Sequence, residues 1–215
     1  MQEERELIVQ YGKKLVNSGL TKGTGGNLSI LDRTGQMFAI SPSGMDYFEM
    51  NPEDVVVLNI NGAKVEGDRK PSSETEMHRL LYERREDINA VVHTHSTFAA
   101  TMACLGRDLP AVHYLIGYAG GDSVRCTPYA PFGSAELAEI ARDGMEGRYA
   151  VLLGNHGLLA AGPDMRYAFD AAEEIEFVCE LYWRAKCVGD PAMLDGEQMG
   201  EVMEKFRTYG QKGRA

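Results

Sequence analysis

The stretch "AVVHTHS", residues 90–96, places two histidines, His93 and His95, at the end of an apolar, valine-containing run. Such a run is typical of a buried β-strand. Because side chains at positions i and i+2 of a strand project from the same face, we expect the two imidazoles to lie side by side. That arrangement suits one metal ion. For these two positions alone, a hydrogen-bonded pair of polar residues at a strand end is an equally good interpretation.

A third histidine favours the metal site. His156, in "YAVLLGNHGLLAAG" (149–162), follows another strand of the buried type and lies in a glycine-flanked turn. Loops at strand ends commonly carry functional groups. Three neutral imidazoles suit Zn²⁺, and a site with only three protein ligands leaves one position open for water or substrate. The sequence therefore predicts a catalytic zinc site formed by His93, His95 and His156.

On both sides of residues 90–96, β-type and helical patterns alternate along the chain. This alternation alone favours a doubly wound parallel sheet. No internal repeat or linker divides the 215 residues, so we expect one domain over residues 1–215. The predicted strands are 37–41, 55–60, 89–96, 110–115, 122–129 and 149–155. The predicted helices are one around 7–16 and those at 73–86, 97–105, 134–145, 165–188 and 196–208.

The composition limits the possible partners and compartment. The net charge of −10 and the pI of about 5.0 give no basic field of the kind that binds nucleic acid or an anionic membrane. The four cysteines have no CxxC spacing, and no apolar run approaches the roughly 20 residues of a transmembrane helix. The first residues are charged and amphipathic, unlike a signal peptide. We therefore expect a soluble, cytoplasmic protein with reduced thiols.

The segment "KPSSETEMHRLLYERRED", residues 70–87, predicts a helix. Ser73 and Glu76 have the spacing of a capping box, so the helix should begin near Ser73. His78 lies in this helix, and we expect it to be exposed to solvent, with at most a minor role in a site.

Glu74 lies in the first turn of this predicted helix and has two interpretations. As an isolated acid it would complement the helix dipole. Together with Ser72, Ser73 and the free amides of the helix N-terminus, it would instead lie at the edge of a phosphate-binding site. The Gly- and Ser-rich turns "TKGTGGNLSI" (21–30) and "SPSGMDY" (41–47) are further candidates for binding phosphate, although such segments are usually only turns.

Seven segments in order make the chain resemble the class II, zinc-dependent aldolases of the L-fuculose-1-phosphate aldolase type. The resemblance implies an α/β fold with three layers, α/β/α, in which helices cover both faces of a largely antiparallel central sheet. It also implies a cyclic tetramer of C4 symmetry. The segments are "GTGGNLS", "SPSGMDY", "PSSE", "AVVHTHS", "PAVHYLIGYAGGDSVRCTPYAPFG", "LGNHGLLAAG" and "EKFRTYG".

The resemblance also implies a role for individual residues. His93, His95 and His156 would bind one zinc ion per subunit, and Glu74 would touch the metal in the resting site and act as acid and base. Tyr114 would be a catalytic residue that reaches the active site of a neighbouring subunit. The implied substrate-binding residues are Thr24, Gly26, Asn27, Ser43, Gly44, Ser72 and Ser73 around the phosphate, with Phe132, Phe206 and Tyr209 toward the aldehyde.

The function implied by the resemblance is that of a lyase. It would reversibly cleave a ketose 1-phosphate to dihydroxyacetone phosphate and a short aldehyde. L-Fuculose 1-phosphate, which gives L-lactaldehyde, is the first choice of substrate, and 5-deoxyribulose and 5-methylthioribulose 1-phosphates are alternatives. A pentulose-phosphate epimerase or dehydratase of the same fold, and a non-catalytic scaffold protein that keeps zinc for structure, are further alternatives. The full set of site residues and the tail segment favour an aldolase.

Overall fold

The computed structural model describes residues 1–206, which contain a central antiparallel sheet. Its strands run in the order β4-β3-β2-β1-β5-β9-β8, and every neighbouring pair is antiparallel. The sheet strands are β1 (Asn27–Asp32), β2 (Met37–Ile40), β3 (Val56–Asn59), β4 (Lys64–Glu66), β5 (Ala90–Thr94), β8 (Ala150–Leu153) and β9 (Gly157–Gly162). A separate two-stranded ribbon is formed by β6 (Leu109–Pro110) and β7 (Ser123–Val124).

Helices cover both faces of the sheet. Alternate residues along the strands other than the exposed edge strand β4 belong to different hydrophobic clusters, because successive side chains of a strand point to opposite faces. On β5, Val92 belongs to the cluster that contains buried residues of α1, α3 and α5, whereas Val91 belongs to the cluster that contains buried residues of α2 and α4. The expected α/β/α layers and the largely antiparallel sheet are therefore confirmed, and the parallel sheet favoured by alternation alone is wrong. The helices are α1 (Gln2–Asn17), α2 (Thr75–Arg84), α3 (Thr97–Cys104), α4 (Ala135–Gly144), α5 (Met165–Val188) and α6 (Gly196–Phe206).

The long helix α5 follows the predicted range 165–188. Asp164 caps its first turn by accepting a hydrogen bond of 2.8 Å from the backbone N–H of Tyr167. Ala168 and Ala172 are completely buried on its inner side. These small side chains let the helix backbone lie close to β5 and β9, with which it packs.

Several predicted elements differ from the structure. The predicted strand 110–115 is wrong, because residues Tyr114–Ala119 form a 3₁₀ helix instead. The predicted strand 122–129 shortens to Ser123–Val124. The sequence interpretation does not predict β1, β4 or β9: the Gly- and Ser-rich segment 21–30 overlaps the start of β1, and β9 begins and ends with glycine. The predicted capping box is also absent: α2 begins at Thr75, and its N-cap residue, Glu74, makes no side-chain capping bond.

Among the described residues, no helix combines the length and the apolar character that crossing a lipid bilayer requires.

Candidate active site

Three histidines converge at one end of the central sheet. His93 lies on β5, His95 follows the end of β5, and His156 lies in the turn between β8 and β9. The Nε2 atom of His93 is 3.0 Å from Nε2 of His95 and 3.2 Å from Nε2 of His156. The turn comes close to His93 because β5 pairs with β9, with Thr94 opposite Leu158. The sheet therefore brings together histidines that are 63 residues apart.

The imidazoles are set up to bind a cation. Nδ1 of His93 lies 2.9 Å from the carbonyl oxygen of Leu158, which can only accept, so this nitrogen carries the proton. Nε2 of His93 therefore presents its lone pair toward the other two rings. Burial lowers the pKa of His93 well below its usual value, and the neighbouring His95 and His156 lower it further. Burial, followed by His156, also lowers the pKa of His95. Neutral imidazoles are the form that binds metal.

Glu74 completes the cluster. Its Oε2 lies 3.3 Å from Nε2 of His93, and its Oε1 lies 3.4 Å from Nε2 of His156. Oε1 is buried and has no hydrogen-bond partner among the described residues. Burying an oxygen that has no hydrogen-bond partner costs free energy, unless a group that is not part of the protein chain, such as an ion, interacts with it. Three histidine nitrogens and one carboxylate are a ligand set that fits a tetrahedral zinc ion.

A cavity of about 370 Å³ opens beside this cluster. Its size is that of a small-molecule site. Most of the residues predicted to bind substrate line it: Thr24, Gly26, Asn27, Ser43, Gly44, Ser72, Ser73 and Phe132, together with Glu74, His95 and His156. The sequence interpretation did not single out five further lining residues: Gly25, Pro42, Tyr129, Ala130 and Asn155. The sequence offers one signal for them, which is their position. Each lies within two residues of a predicted site residue or inside a segment that resembles the family.

Gly26 shows why this cavity needs glycine. Its φ of +70° lies in the left-handed region, and a Cβ atom there would be 2.5 Å from the carbonyl oxygen of His93. The loop before β1 can therefore approach β5 only without a side chain at this position. Across the cavity, the backbone N–H of Ser43 donates to the carbonyl of Lys70, which holds the turn 41–47 next to the Ser72 segment.

Two predicted residues lie elsewhere, and a third cannot be placed. Tyr114 and Phe206 line a separate groove with Leu115 and Tyr118, not the cavity beside the histidines. Tyr114 is 48% exposed, so its ring is accessible from outside the chain. Tyr209 falls outside residues 1–206.

His78 departs most from its prediction. Rather than being an exposed helical residue, it is completely buried, and its Nε2 lies 2.6 Å from Oδ1 of Asn27. Asn27 in turn donates a hydrogen bond of 2.8 Å to Oε2 of Glu74. The amide of Asn27 is thus held by protein groups at both its oxygen and its nitrogen.

A three-layer fold with three converging histidines beside a polar cavity is the architecture of the class II aldolases, and the sequence agrees. Residues 6–183 match the family described as "Class II Aldolase and Adducin N-terminal domain". The chain belongs to this family.

Individual relatives are more specific. The chain is 55% identical over 212 residues to the 5-deoxy-D-ribulose 1-phosphate aldolase of Bacillus thuringiensis serovar kurstaki, covering 99% of each chain. It is 42% identical to the 5-methylthioribulose-1-phosphate/5-deoxyribulose-1-phosphate aldolase of Rhodospirillum rubrum, covering 96% of this chain and 92% of that one. A solved structure named L-fuculose 1-phosphate aldolase superposes with a TM-score of 0.94 at 49% identity, covering 96% and 97% of the two chains.

These comparisons confirm an enzyme of the aldolase type, a lyase. They also change the order of the candidate functions. The alternative, a 5-deoxyribulose-phosphate aldolase, is supported better than the first choice of L-fuculose 1-phosphate, because the 55% identical relative carries that name.

Proposed function

We propose that this protein is a zinc-dependent aldolase that reversibly cleaves 5-deoxyribulose 1-phosphate to dihydroxyacetone phosphate and acetaldehyde. The choice of substrate rests on the names of the 55% and 42% identical relatives. 5-Methylthioribulose 1-phosphate is the second candidate because the 42% identical relative is named for it as well. L-Fuculose 1-phosphate, named by the 49% identical structure, is the third.

One observation carries the chemistry: the Nε2 atoms of His93, His95 and His156 lie close together, and the unpartnered Oε1 of Glu74 lies 3.4 Å from Nε2 of His156, beside a polar cavity. His93, His95 and His156 would hold one zinc ion per subunit. When bound, the zinc would act as a Lewis acid that polarises the ketose carbonyl.

The chain itself would bind the phosphate and move protons. Ser43, Gly44, Ser72 and Ser73 form the end of the cavity that offers hydroxyl groups and turn or helix N-terminal amides, which are groups that bind phosphate. Glu74 lies between this end and the histidines. In the cleavage direction a base takes the proton of the C4 hydroxyl and the C3–C4 bond breaks. Glu74, which enters this step protonated, donates that proton to C3 to give dihydroxyacetone phosphate; the base then releases the proton of the C4 hydroxyl to solvent, and Glu74 takes up another one from solvent.

Tyr114 is the proposed base for the C4 hydroxyl, acting in the cavity of a neighbouring subunit. Its exposed ring lies in a groove away from its own chain's histidines, which is what a residue acting across an interface requires. We therefore propose a C4 homotetramer in which each cavity is completed by the next subunit. Phe206 lies in the same groove as Tyr114 and would likewise reach the cavity of the neighbouring subunit. Phe132, in contrast, lines the cavity of its own chain. Tyr209 would close over the aldehyde.

Two further properties belong to this proposal. We propose that residues 1–215 form a single class II aldolase domain, because both hydrophobic clusters pack on opposite faces of one sheet. We also propose a cytoplasmic location, because all four cysteines are free thiols.

The test is a side-by-side measurement of kcat/KM for the three ketose 1-phosphates, following dihydroxyacetone phosphate with an NADH-coupled dehydrogenase. 5-Deoxyribulose 1-phosphate should give the highest value. The differences should be modest, because discrimination between small apolar groups is worth only about 1–3 kcal/mol. A preference for L-fuculose 1-phosphate would overturn the choice of substrate.

Removal of metal tests the mechanism. Dialysis against a chelator should abolish cleavage, and added Zn²⁺ should restore it. A chelator-treated protein that contains no metal by elemental analysis and still releases dihydroxyacetone phosphate would overturn the role of zinc. Epimerisation or dehydration of the ketose phosphate without release of an aldehyde would overturn aldol cleavage.

A further inference from the structure

A chain of buried polar side chains leads from Glu74 through Asn27, which also lines the cavity, into the protein interior. Asn27 Nδ2 lies 2.8 Å from Glu74 Oε2, and Asn27 Oδ1 lies 2.6 Å from His78 Nε2. His78 Nδ1 lies 2.6 Å from Ser29 Oγ, which lies 2.5 Å from the hydroxyl of Tyr82. All five side chains are buried, and His78 and Ser29 are completely so.

Chemistry fixes the direction of every hydrogen bond in this chain. The carboxylate of Glu74 can only accept, so Asn27 donates through Nδ2 and presents Oδ1 to His78. His78 must therefore carry its proton on Nε2, which leaves Nδ1 to accept from the hydroxyl of Ser29. The oxygen of Ser29 then accepts from Tyr82. Burial lowers the pKa of His78 to about 3, so the ring is neutral and has one donor and one acceptor.

We propose that His78 is a positioning residue for proton transfer. It holds the Asn27 amide in the one orientation that donates to Oε2 of Glu74, and so leaves Oε1 as the oxygen that exchanges the substrate proton. This inference rests on the proposed function, because it assigns an atom within the proposed acid and base.

The two oxygens of Glu74 support this division of roles. Oε2 is occupied by Asn27, whereas Oε1 has no hydrogen-bond partner in the described chain and lies 3.4 Å from Nε2 of His156. If the Asn27 amide turned over, its oxygen would face Oε2, and two acceptors would repel each other. His78 prevents this turn, because its Nε2–H would then face the donor side of the amide.

The opposite end of the chain accommodates the tautomer that Glu74 and Asn27 impose on His78. The hydroxyl of Ser29 can donate to Nδ1 while its oxygen accepts from Tyr82, because a hydroxyl can serve as donor and acceptor at once. A network of this kind is favourable only when every member is satisfied, because the groups lie in a low dielectric. Each bond therefore sets the direction of the next, from the carboxylate of Glu74 to the hydroxyl of Tyr82.

Two substitutions of His78 by amides of similar size distinguish a role in positioning Asn27 from a role in packing alone. In His78→Gln, the side-chain amide nitrogen lies near the former Nε2 and can still donate to Asn27. In His78→Asn, the amide lies near the former Nδ1, so contact with Ser29 is possible but the donor to Asn27 is lost. Both variants leave space in the same cluster, so their melting temperatures should fall by comparable amounts.

The expected result is a difference in kcat. His78→Asn should lower kcat for ketose 1-phosphate cleavage about tenfold or more with less than about threefold change in KM, whereas His78→Gln should stay within about threefold of wild type. Solvent exchange of the dihydroxyacetone phosphate proton should follow kcat in both variants. Metal content should be unchanged in both. Equal losses of kcat in the two variants, or a change confined to KM, would overturn the positioning role.

A measurement independent of activity checks the chain itself. In protein labelled with ¹⁵N-histidine, the His78 ring, assigned by its loss in His78→Gln, should show a protonated Nε2 and an unprotonated Nδ1 across neutral pH. The opposite tautomer would overturn the inference even in an active enzyme. If the wild type fails to cleave any ketose 1-phosphate while the tautomer is as stated, the proposed function fails and the hydrogen-bond chain stands.

Discussion

Glu176 of α5 holds the N-terminus of α3, the helix that follows His95 directly. Its Oε2 accepts hydrogen bonds of 2.7 Å from the hydroxyl of Ser96 and from the backbone N–H of Ala99, and its Oε1 accepts one of 2.8 Å from the N–H of Phe98. Ser96, the N-cap residue of α3, makes no capping bond through its own side chain. The carboxylate therefore replaces a local cap, and Glu176→Gln should destabilise the protein.

The size of the effect follows from these contacts. A glutamine can accept only through its one oxygen, so at best the bonds from Ser96 and Ala99 survive and the N–H of Phe98 faces an NH₂ group. A lost hydrogen bond to a charged group costs about 1.5–3 kcal/mol. Losing the negative charge at a helix N-terminus costs about 0.3–1 kcal/mol more. The free energy of unfolding should fall by about 2–4 kcal/mol, or roughly 5–15 °C in Tm for a chain of this length.

The assay is urea and thermal denaturation at one fixed protein concentration, with and without metal. Glu173→Gln is the matched control, because Glu173 lies one helical turn earlier and forms an exposed ion pair of 2.9 Å with Lys14. Such pairs contribute less than about 1 kcal/mol. If Glu176→Gln unfolds within about 1 kcal/mol of wild type, or costs no more than the control, the capping argument is refuted.

The remaining predictions concern the site. His156→Ala should stay folded by circular dichroism but lose stoichiometric metal and cleavage, and retained metal would contradict its assignment as a ligand. Gly26→Ala should lower the unfolding free energy by about 2 kcal/mol or more, since the left-handed backbone alone costs about 1–2 kcal/mol and the new Cβ meets the carbonyl of His93; an unchanged Tm would show that this loop can move. Tyr114→Phe should lose cleavage but keep proton exchange of dihydroxyacetone phosphate. Mixed with the inactive Glu74→Gln variant, it should regain part of the cleavage activity, and no recovery despite proven subunit exchange would place Tyr114 in its own chain's site.

Much of the fold could be predicted because strong local patterns matched the structure. The 165–188 pattern has buried residues at helical spacing, β8 is continuously apolar, and β5 begins with three apolar residues. The direction of the strands could not be predicted from alternation, because it depends on contacts between distant segments. β1 is not predicted because its first residues continue a Gly- and Ser-rich turn, and β9 is not predicted because it begins and ends with glycine. Both become strands through pairing with distant segments, β1 with β2 and β5, and β9 with β5 and β8.

Within the site, the histidines could be predicted and His78 could not. The i, i+2 spacing of His93 and His95 is a local signal, and it leads directly to their shared face. His78 carries no such signal, because an isolated histidine in a charged helix is usually exposed. Its burial depends on Ser29 and Asn27 of β1, about fifty residues earlier in the sequence.

The pairing of β5 with β9 also sets when the proposed metal site can first form. His93 and His156 are 63 residues apart, and their nitrogens meet only after the β5–β9 ladder has formed. Long-range pairing of this kind is among the slow steps of folding. During synthesis, a chain that has left the ribosome only as far as α4 holds two of the three histidines and no complete ligand set. Loading of the proposed metal would thus be a late event, and it would report that the centre of the sheet has assembled.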